Sequence, residues 1–235
     1  MAGFFDLHPR FYQTSIVGST ANRLNSRYKA MIDANRECIA GKSVLDIASH
    51  DGRWSYAAYD GGARHVLGIE ARPELVERAE ATMREYGVPE GRISFVTGDI
   101  HREIAKVPRG SVDTVFCFGF FYHTMHHARL LASIQELAPK YLILDTGVCA
   151  SDQPVIEIRK EDTDNPASAV RAADDPRRLA LVGLPSRPAL DMMLDYAGFR
   201  YEYFDWHQAG VEDWDTIEDY RDSLRVTVRA TRIAG

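Results

Sequence analysis

The run Phe118-Gly119-Phe120-Phe121-Tyr122-His123-Thr124-Met125-His126-His127 gathers three imidazoles and a phenol among aromatic rings. A neutral imidazole takes up a proton near physiological pH, whereas a carboxylate must first be made more basic by burial. His123 is therefore the candidate base, with Tyr122 beside it as a second candidate catalytic side chain. Phe120, Phe121 and Tyr122 can wall an apolar cleft, and Gly119 lets the backbone approach a ligand closely. On a helix, His123, His126 and His127 would share one face, where they serve equally well as a hydrogen-bonded structural set. Asp145 closes the apolar run Tyr141-Leu142-Ile143-Leu144. It could accept a hydrogen bond from a substrate, or help to hold magnesium with Glu157 or a histidine and so polarise vicinal hydroxyls.

These groups need a scaffold, and the apolar runs supply one. Val44-Leu45-Asp46-Ile47 is followed by the small-residue turn Ala48-Ser49-His50-Asp51-Gly52 and a helical segment from Trp54. Val66-Leu67-Gly68-Ile69 ends in Glu70, ahead of Ala71; Ile93-Ser94-Phe95-Val96 runs into Thr97-Gly98-Asp99 and Ile100; Val112 to Phe118 reaches Gly119. Four strands thus end in ligand-type residues at the carboxyl edge of a parallel sheet, where loops and helix N-termini receive ligands. Glu70 can accept both hydroxyls of a ribose. Asp46 ends a buried strand, which is costly for an acid unless it is paired, so it orders the loop or accepts from an ammonium group of the ligand. A dinucleotide fingerprint would place glycines where this chain has Ala48 and His50, and the imidazole would obstruct a pyrophosphate. The pattern favours an adenosine ligand without phosphates.

Helical spacing runs through Leu24, Tyr28, Met31, Asn35, Cys38 and Ile39, with Ser19 and Thr20 as candidate N-caps. Pro73 opens a helix that ends near Gly87, a further helix covers Arg129 to Leu137, and another runs from Pro188 to Tyr196 before Gly198. Strands near Arg200–Phe204 and Leu224–Ile233 make an antiparallel edge. The division expected is one domain over 1–235, with 1–41 as a helical cap and the aperiodic 151–187 as a lid or insertion.

The chain has 235 residues, 45% hydrophobic, with a net charge of -6. That is enough to bury a full core. The acidic balance disfavours a nucleic-acid backbone as partner, and a small-molecule acceptor is expected instead. No stretch approaches the roughly 20 apolar residues of a membrane span, and Met1 to Arg10 lacks a secretory pattern, so a cytoplasmic setting is expected. Cys38, Cys117 and Cys149 read as reduced core residues. A homodimer is left open.

Taken together, the motifs resemble class I S-adenosylmethionine-dependent methyltransferases over about Lys42 to Ile233. The resemblance implies a Rossmann-like α/β fold: a seven-stranded sheet with helices on both faces and an antiparallel last strand. It implies S-adenosylmethionine as cofactor, with Asp46, Ala48, Ser49, His50 and Gly52 in the position of the glycine-rich loop, although Ala48 and His50 replace the usual first and second glycines. Glu70 and Ala71 then lie at the ribose, Asp99 and Ile100 at the adenine, and Phe118 and Gly119 near the transferable methyl. Arg23 or Arg27 could reach the cofactor's carboxylate, and Trp54 is a core or wall residue on the same side. Arg23-Leu24-Asn25, Arg27-Tyr28, His50-Asp51-Gly52-Arg53-Trp54-Ser55 and Phe121-Tyr122-His123 are further similar to the small actinobacterial sugar O-methyltransferases, including the type that methylates position 1 in methylmannose polysaccharide assembly. That likeness implies a short methylated mannoside as acceptor, methylated at its anomeric hydroxyl. Three other readings stay open: another small-molecule or transfer-RNA acceptor, a non-catalytic cofactor-binding protein, and a nicotinamide-dependent dehydrogenase.

Overall fold

The computed structural model describes residues 2–13, 15, 19–170 and 178–233. Five of the apolar runs form the parallel strands β1 (Ser43–Ile47), β2 (His65–Glu70), β3 (Ile93–Thr97), β4 (Thr114–Phe118) and β5 (Tyr141–Gly147). A separate antiparallel hairpin follows, β6 (Ile156–Asp162) paired with β7 (Leu179–Pro185). Then β8 (Phe199–Tyr203) and β9 (Arg225–Arg232) complete a seven-stranded sheet of order β3-β2-β1-β4-β5-β9-β8, in which β9 is antiparallel to both neighbours. The chain winds outward from β1 to β3 and then returns to β4. This leaves a crevice beyond the carboxyl ends of β1 and β4, at the reversal point where open α/β sheets bind ligands.

Side chains alternate across the strands, and each face has its own apolar layer. Leu45, Ile47, Val115, Cys117, Leu142 and Leu144 face Ile104, Leu130, Ile134 and Leu190, which belong to α6 (Ile100–Ile104), α7 (His127–Leu137) and α8 (Arg187–Tyr196). Val44, Val66, Phe116, Phe118 and Ile143 face the other way, toward Leu24 and Met31 of α2 (Ala21–Met31), Trp54 and Ala57 of α4 (Arg53–Asp60), and Met83 of α5 (Pro73–Glu85). All three cysteines are free and buried. Among the described residues, no helix is long and apolar enough to cross a membrane.

Two local departures from the sequence expectations have clear causes. The periodicity from Leu24 to Ile39 suggests one helix, but α2 stops at Met31 and a 3-10 turn (Asp33–Asn35) leads into the short α3 (Arg36–Ile39). The buried Asn35 amide donates to the carbonyls of Ala30 and Met31 at 2.9 and 3.1 Å, satisfying the end of α2 in place of continued helix. The stretch 151–187 contains β6 and β7, although 171–177 lies outside the described residues. Its strands were masked in the sequence because β6 is exposed along nearly its whole length, so no in–out alternation marks it.

Candidate functional site

A cavity of about 560 Å³ opens at the crevice, between the sheet edge and the β6–β7 hairpin. Its sheet side begins at the turn after β1. Ala48, His50 and Gly52 all adopt left-handed backbone, with φ of 56°, 53° and 77°. The two non-glycine residues hold a conformation that costs about 1–2 kcal/mol each, so the glycine-loop geometry is kept without its glycines. At position 52 no substitute fits: a Cβ would lie 2.9 Å from the Phe95 ring and 3.0 Å from Ala79. Ala48 and His50 line the cavity, whereas Gly52, Ser49 and Asp46 do not. Ser49 is turned against β2, its N–H donating to the Ile69 carbonyl at 3.0 Å.

Glu70 at the end of β2 also lines the cavity and fastens the turn. One carboxylate oxygen accepts from the His50 N–H at 2.9 Å and the other from the Arg72 N–H at 3.0 Å. Ala71, Asp99 and Ile100 follow along the same wall. Asp99 already caps α6 by accepting from the Arg102 N–H at 3.0 Å. Below the turn, Asp51 forms a two-pronged ion pair with the buried Arg53 at 2.6 and 2.7 Å. Burial alone would raise the Asp51 pKa, but Arg53 outweighs it and holds this carboxyl well below the ordinary range.

Asp46 behaves in the opposite way. It is 1% exposed and has the Ser55 hydroxyl donating to it at 2.6 Å, but no cation. Burial, aided by the charges of Glu70 and Asp51, pushes its pKa up to about 7. The folded chain therefore holds this proton more tightly than the unfolded chain, and Asp46 costs stability progressively as pH rises from about 4 to about 7. Asp46→Asn keeps an acceptor for Ser55. Its melting temperature relative to wild type is expected to climb across that window and level off above it; a difference independent of pH would show that Asp46 is ionised throughout.

The wall opposite Glu70 is basic. Arg23, Arg27 and Arg225 all line the cavity beside Trp54, Phe118 and Gly119. Arg23 is paired with Asp219 at 2.7 and 2.8 Å and donates to the Thr216 carbonyl at 2.8 Å. Arg27 lies 5.1 Å over the Trp54 ring and donates to Asp145 at 2.9 Å, while its buried Nε has no partner. Arg225 pairs with the same Asp145 oxygen at 2.6 Å. Gly119 has φ of 79°, and a Cβ there would meet an Arg225 nitrogen at 3.4 Å.

This network corrects the expectation for Asp145. Its carboxylate is fully buried and does not line the cavity. One oxygen is taken by Arg27 and Arg225, the other by the hydroxyls of Tyr220 at 2.7 Å and Thr227 at 2.8 Å. Burial would raise its pKa, but the two guanidiniums and two hydroxyls hold it well below the carboxylate range. A carboxylate so occupied has no lone pair to offer a proton or a cation. Glu157, the partner envisaged for it, is exposed on β6 and bound to Arg159 at 2.7 Å. The donor set expected for magnesium is not assembled, and among the described residues no cluster of three or more His, Cys, Asp or Glu could hold a metal ion.

His123 and Tyr122 line the cavity as well. They sit in a 3-10 turn (Phe121–His123), and α7 starts only at His127, because the Thr124 hydroxyl accepts from the His126 N–H at 3.0 Å and turns the chain. The three histidines therefore do not share a helix face. His127 is buried, with Nε2 3.0 Å from the Gly183 carbonyl, and burial lowers its pKa, so it is a neutral structural group. His126 lines the cavity, its ring 5.7 Å from that of His101. His123 Nδ1 lies 2.8 Å from Glu161 of β6. Burial would raise the Glu161 pKa, but His123 outweighs this and keeps it below the ordinary value. The Tyr122 hydroxyl is 3.4 Å from Arg225.

Glu161 and Arg225 are functional residues that could not be read from the sequence. Each reaches the site from an element far along the chain, and neither carries a local motif. Phe120 lines the cavity as expected of a wall residue, and Arg72, Thr124 and Met125, which also line it, could have been suspected only from their nearness to Glu70 and His123.

Residues 44–139 match the family profile described as a methyltransferase domain. A comparison with curated protein sequences returns no match. Among solved structures, the N-terminal domain of EvdMO1, determined in the presence of SAH and D-fucose, is similar with a TM-score of 0.64 and 20% identity, over 86% of this chain and 81% of that chain. An S-adenosylmethionine-dependent methyltransferase from Mesorhizobium loti matches with a TM-score of 0.62 and 18% identity, over 86% of this chain and 98% of that chain. The [4+2]-cyclase SpnF matches with a TM-score of 0.59 and 16% identity, over 95% of this chain and 87% of that chain. By profile over residues 44–139 the chain is similar to methyltransferase domains, and across the sheet as a whole its fold is similar to that of solved S-adenosylmethionine-dependent methyltransferases.

Proposed function

We propose that this chain transfers the methyl group of S-adenosylmethionine to a hydroxyl of a small sugar, with a short methylated mannoside bearing a free anomeric hydroxyl as the acceptor. The observation that carries the proposal is that one cavity joins a ribose-type carboxylate, Glu70, to a histidine–carboxylate pair, His123 and Glu161. The fold alone does not choose the reaction, since the same architecture serves a cyclase. A base in the cofactor's cavity favours methyl transfer to a hydroxyl, which must lose a proton. EvdMO1's N-terminal domain in the presence of D-fucose supports a sugar, and the sequence likeness to sugar O-methyltransferases supports the mannoside. Three free, buried cysteines suit a reducing compartment and support a cytoplasmic setting.

When bound, the cofactor supplies a methyl group already activated by its sulfonium. The protein's task is to orient, to exclude water and to take the proton. Glu70 offers its remaining lone pairs to the ribose hydroxyls. Arg27 suits the methionine carboxylate better than Arg23, because its buried Nε has no partner while the charge of Arg23 is paired two-pronged with Asp219. Asp145 shares its one negative charge between Arg27 and Arg225, so this wall keeps a surplus positive charge that a carboxylate would balance. Nδ1 of His123 donates to Glu161, which leaves Nε2 as the lone pair that receives the acceptor's proton. Aromatic faces at Phe120 and Tyr122 offer stacking surfaces to a sugar ring. No step is assigned to magnesium.

Calorimetry with S-adenosylhomocysteine tests the cofactor half. Wild type should bind, and Glu70→Ala should weaken binding by about 1.5–3 kcal/mol, the scale of a lost charge-assisted partner. Equal affinity in a folded variant would remove Glu70 from the ribose.

A further inference from the structure

We infer that Glu161 is a positioning residue that joins the aim of the base to the roof of the acceptor site, so that the β6–β7 hairpin is a working part of the active site. The inference rests on the reading of His123 as the base. One oxygen of Glu161, Oε2, accepts from two sources: His123 Nδ1 at 2.8 Å and the Ala169 N–H at 2.7 Å. Ala169 belongs to the strap Pro166–Val170, all of which lines the cavity. The strap is also held one residue earlier, where Arg72 Nη2 donates to the Ser168 carbonyl at 2.8 Å. Arg72 stands two residues after Glu70 on the nucleoside side. One peptide unit of the strap, Ser168–Ala169, is therefore held on both sides, its carbonyl by the guanidinium that follows Glu70 and its N–H by the carboxylate that orients the imidazole.

Two consequences follow from that shared oxygen. The ionised carboxylate selects the Nδ1–H tautomer of His123 and so presents the Nε2 lone pair to the acceptor. As the acceptor oxygen bonds to the methyl carbon and the carbon–sulfur bond breaks toward sulfur, its proton moves to Nε2, and Glu161 stabilises the imidazolium without itself taking the proton. Removing the strap leaves Oε2 with one donor fewer, and removing Glu161 frees both the ring and the strap.

Two substitutions separate these effects. Glu161→Gln keeps an oxygen that can accept from both donors but removes the charge. It should lower kcat by about 10-fold, a part of the ~10²–10⁴ that a positioned base supplies, with the acceptor KM near wild type. Glu161→Ala should lower kcat further and raise the acceptor KM several-fold, because the roof is released. Two measurements need no turnover. In protein labelled with ¹⁵N-histidine, the His123 signals should report Nδ1–H in wild type and Glu161→Gln, and a tautomer mixture in Glu161→Ala. Amide exchange at 168–170 should quicken in Glu161→Ala alone. Unchanged His123 signals and unchanged exchange in Glu161→Ala would overturn the inference, as would wild-type kcat in Glu161→Gln. If these signals change as expected but wild type methylates no acceptor, the proposed function has failed while the link between Glu161, the imidazole and the strap stands.

Discussion

His123→Ala should lower the methyl-transfer rate by about 10²–10⁴-fold, the contribution of a positioned general base. Affinity for S-adenosylhomocysteine should stay near wild type, because His123 is bonded to Glu161 of β6 rather than to Glu70 or the turn after β1. Single-turnover rates with both ligands saturating isolate this step from product release. A variant that keeps its rate would reduce His123 to a wall residue. Asp145 would not be the substitute, with both oxygens occupied; His50, His101 and His126 are the other imidazoles on the cavity wall.

The second large effect concerns stability. Asp145→Ala leaves Arg27 and Arg225 facing each other in a buried wall with no counter-charge, and breaking such a pair costs about 3–5 kcal/mol. For a chain of this size that corresponds to a fall in melting temperature of about 10 °C. The pH dependence has a definite sign. The Asp145 pKa is lowered by folding, so its contribution is complete above the ordinary carboxylate value of 3.8 and is lost as pH falls below it. The gap between wild type and variant should therefore be widest near neutrality and narrow in acid. Melting curves that coincide at pH 7 would mean that the two arginines do not depend on this carboxylate.

The fold was legible where burial was simple. β1 and β4 are buried on both faces and appear as largely apolar runs, and Asp46 near the end of β1 and Glu70 at the end of β2 mark the sheet edge beside the cavity. Glu70 was recognisable because its neighbours in sequence are also its neighbours in space. Asp145 shows the converse. Its position at a strand end was readable, but its role was set by Arg27, Tyr220, Arg225 and Thr227, three of which arrive on a segment about 80 residues later. The turn at 48–52 was obscured differently: alanine and histidine gave no hint that the backbone is left-handed at their positions, since local residue type normally reports that conformation and here tertiary contacts impose it. Glu161 was hidden because an exposed hairpin has no periodicity to read, and its link to His123 spans 38 residues.

The central claim, methyl transfer to a sugar hydroxyl, is tested most directly by incubating the protein with S-adenosylmethionine and a short methylated mannoside bearing a free anomeric hydroxyl, and following both products by mass spectrometry. The mannoside should gain one methyl, with an equal amount of S-adenosylhomocysteine released only when the mannoside is present. Tight binding of S-adenosylhomocysteine with no acceptor-dependent release across mannosides and other small sugars would contradict it.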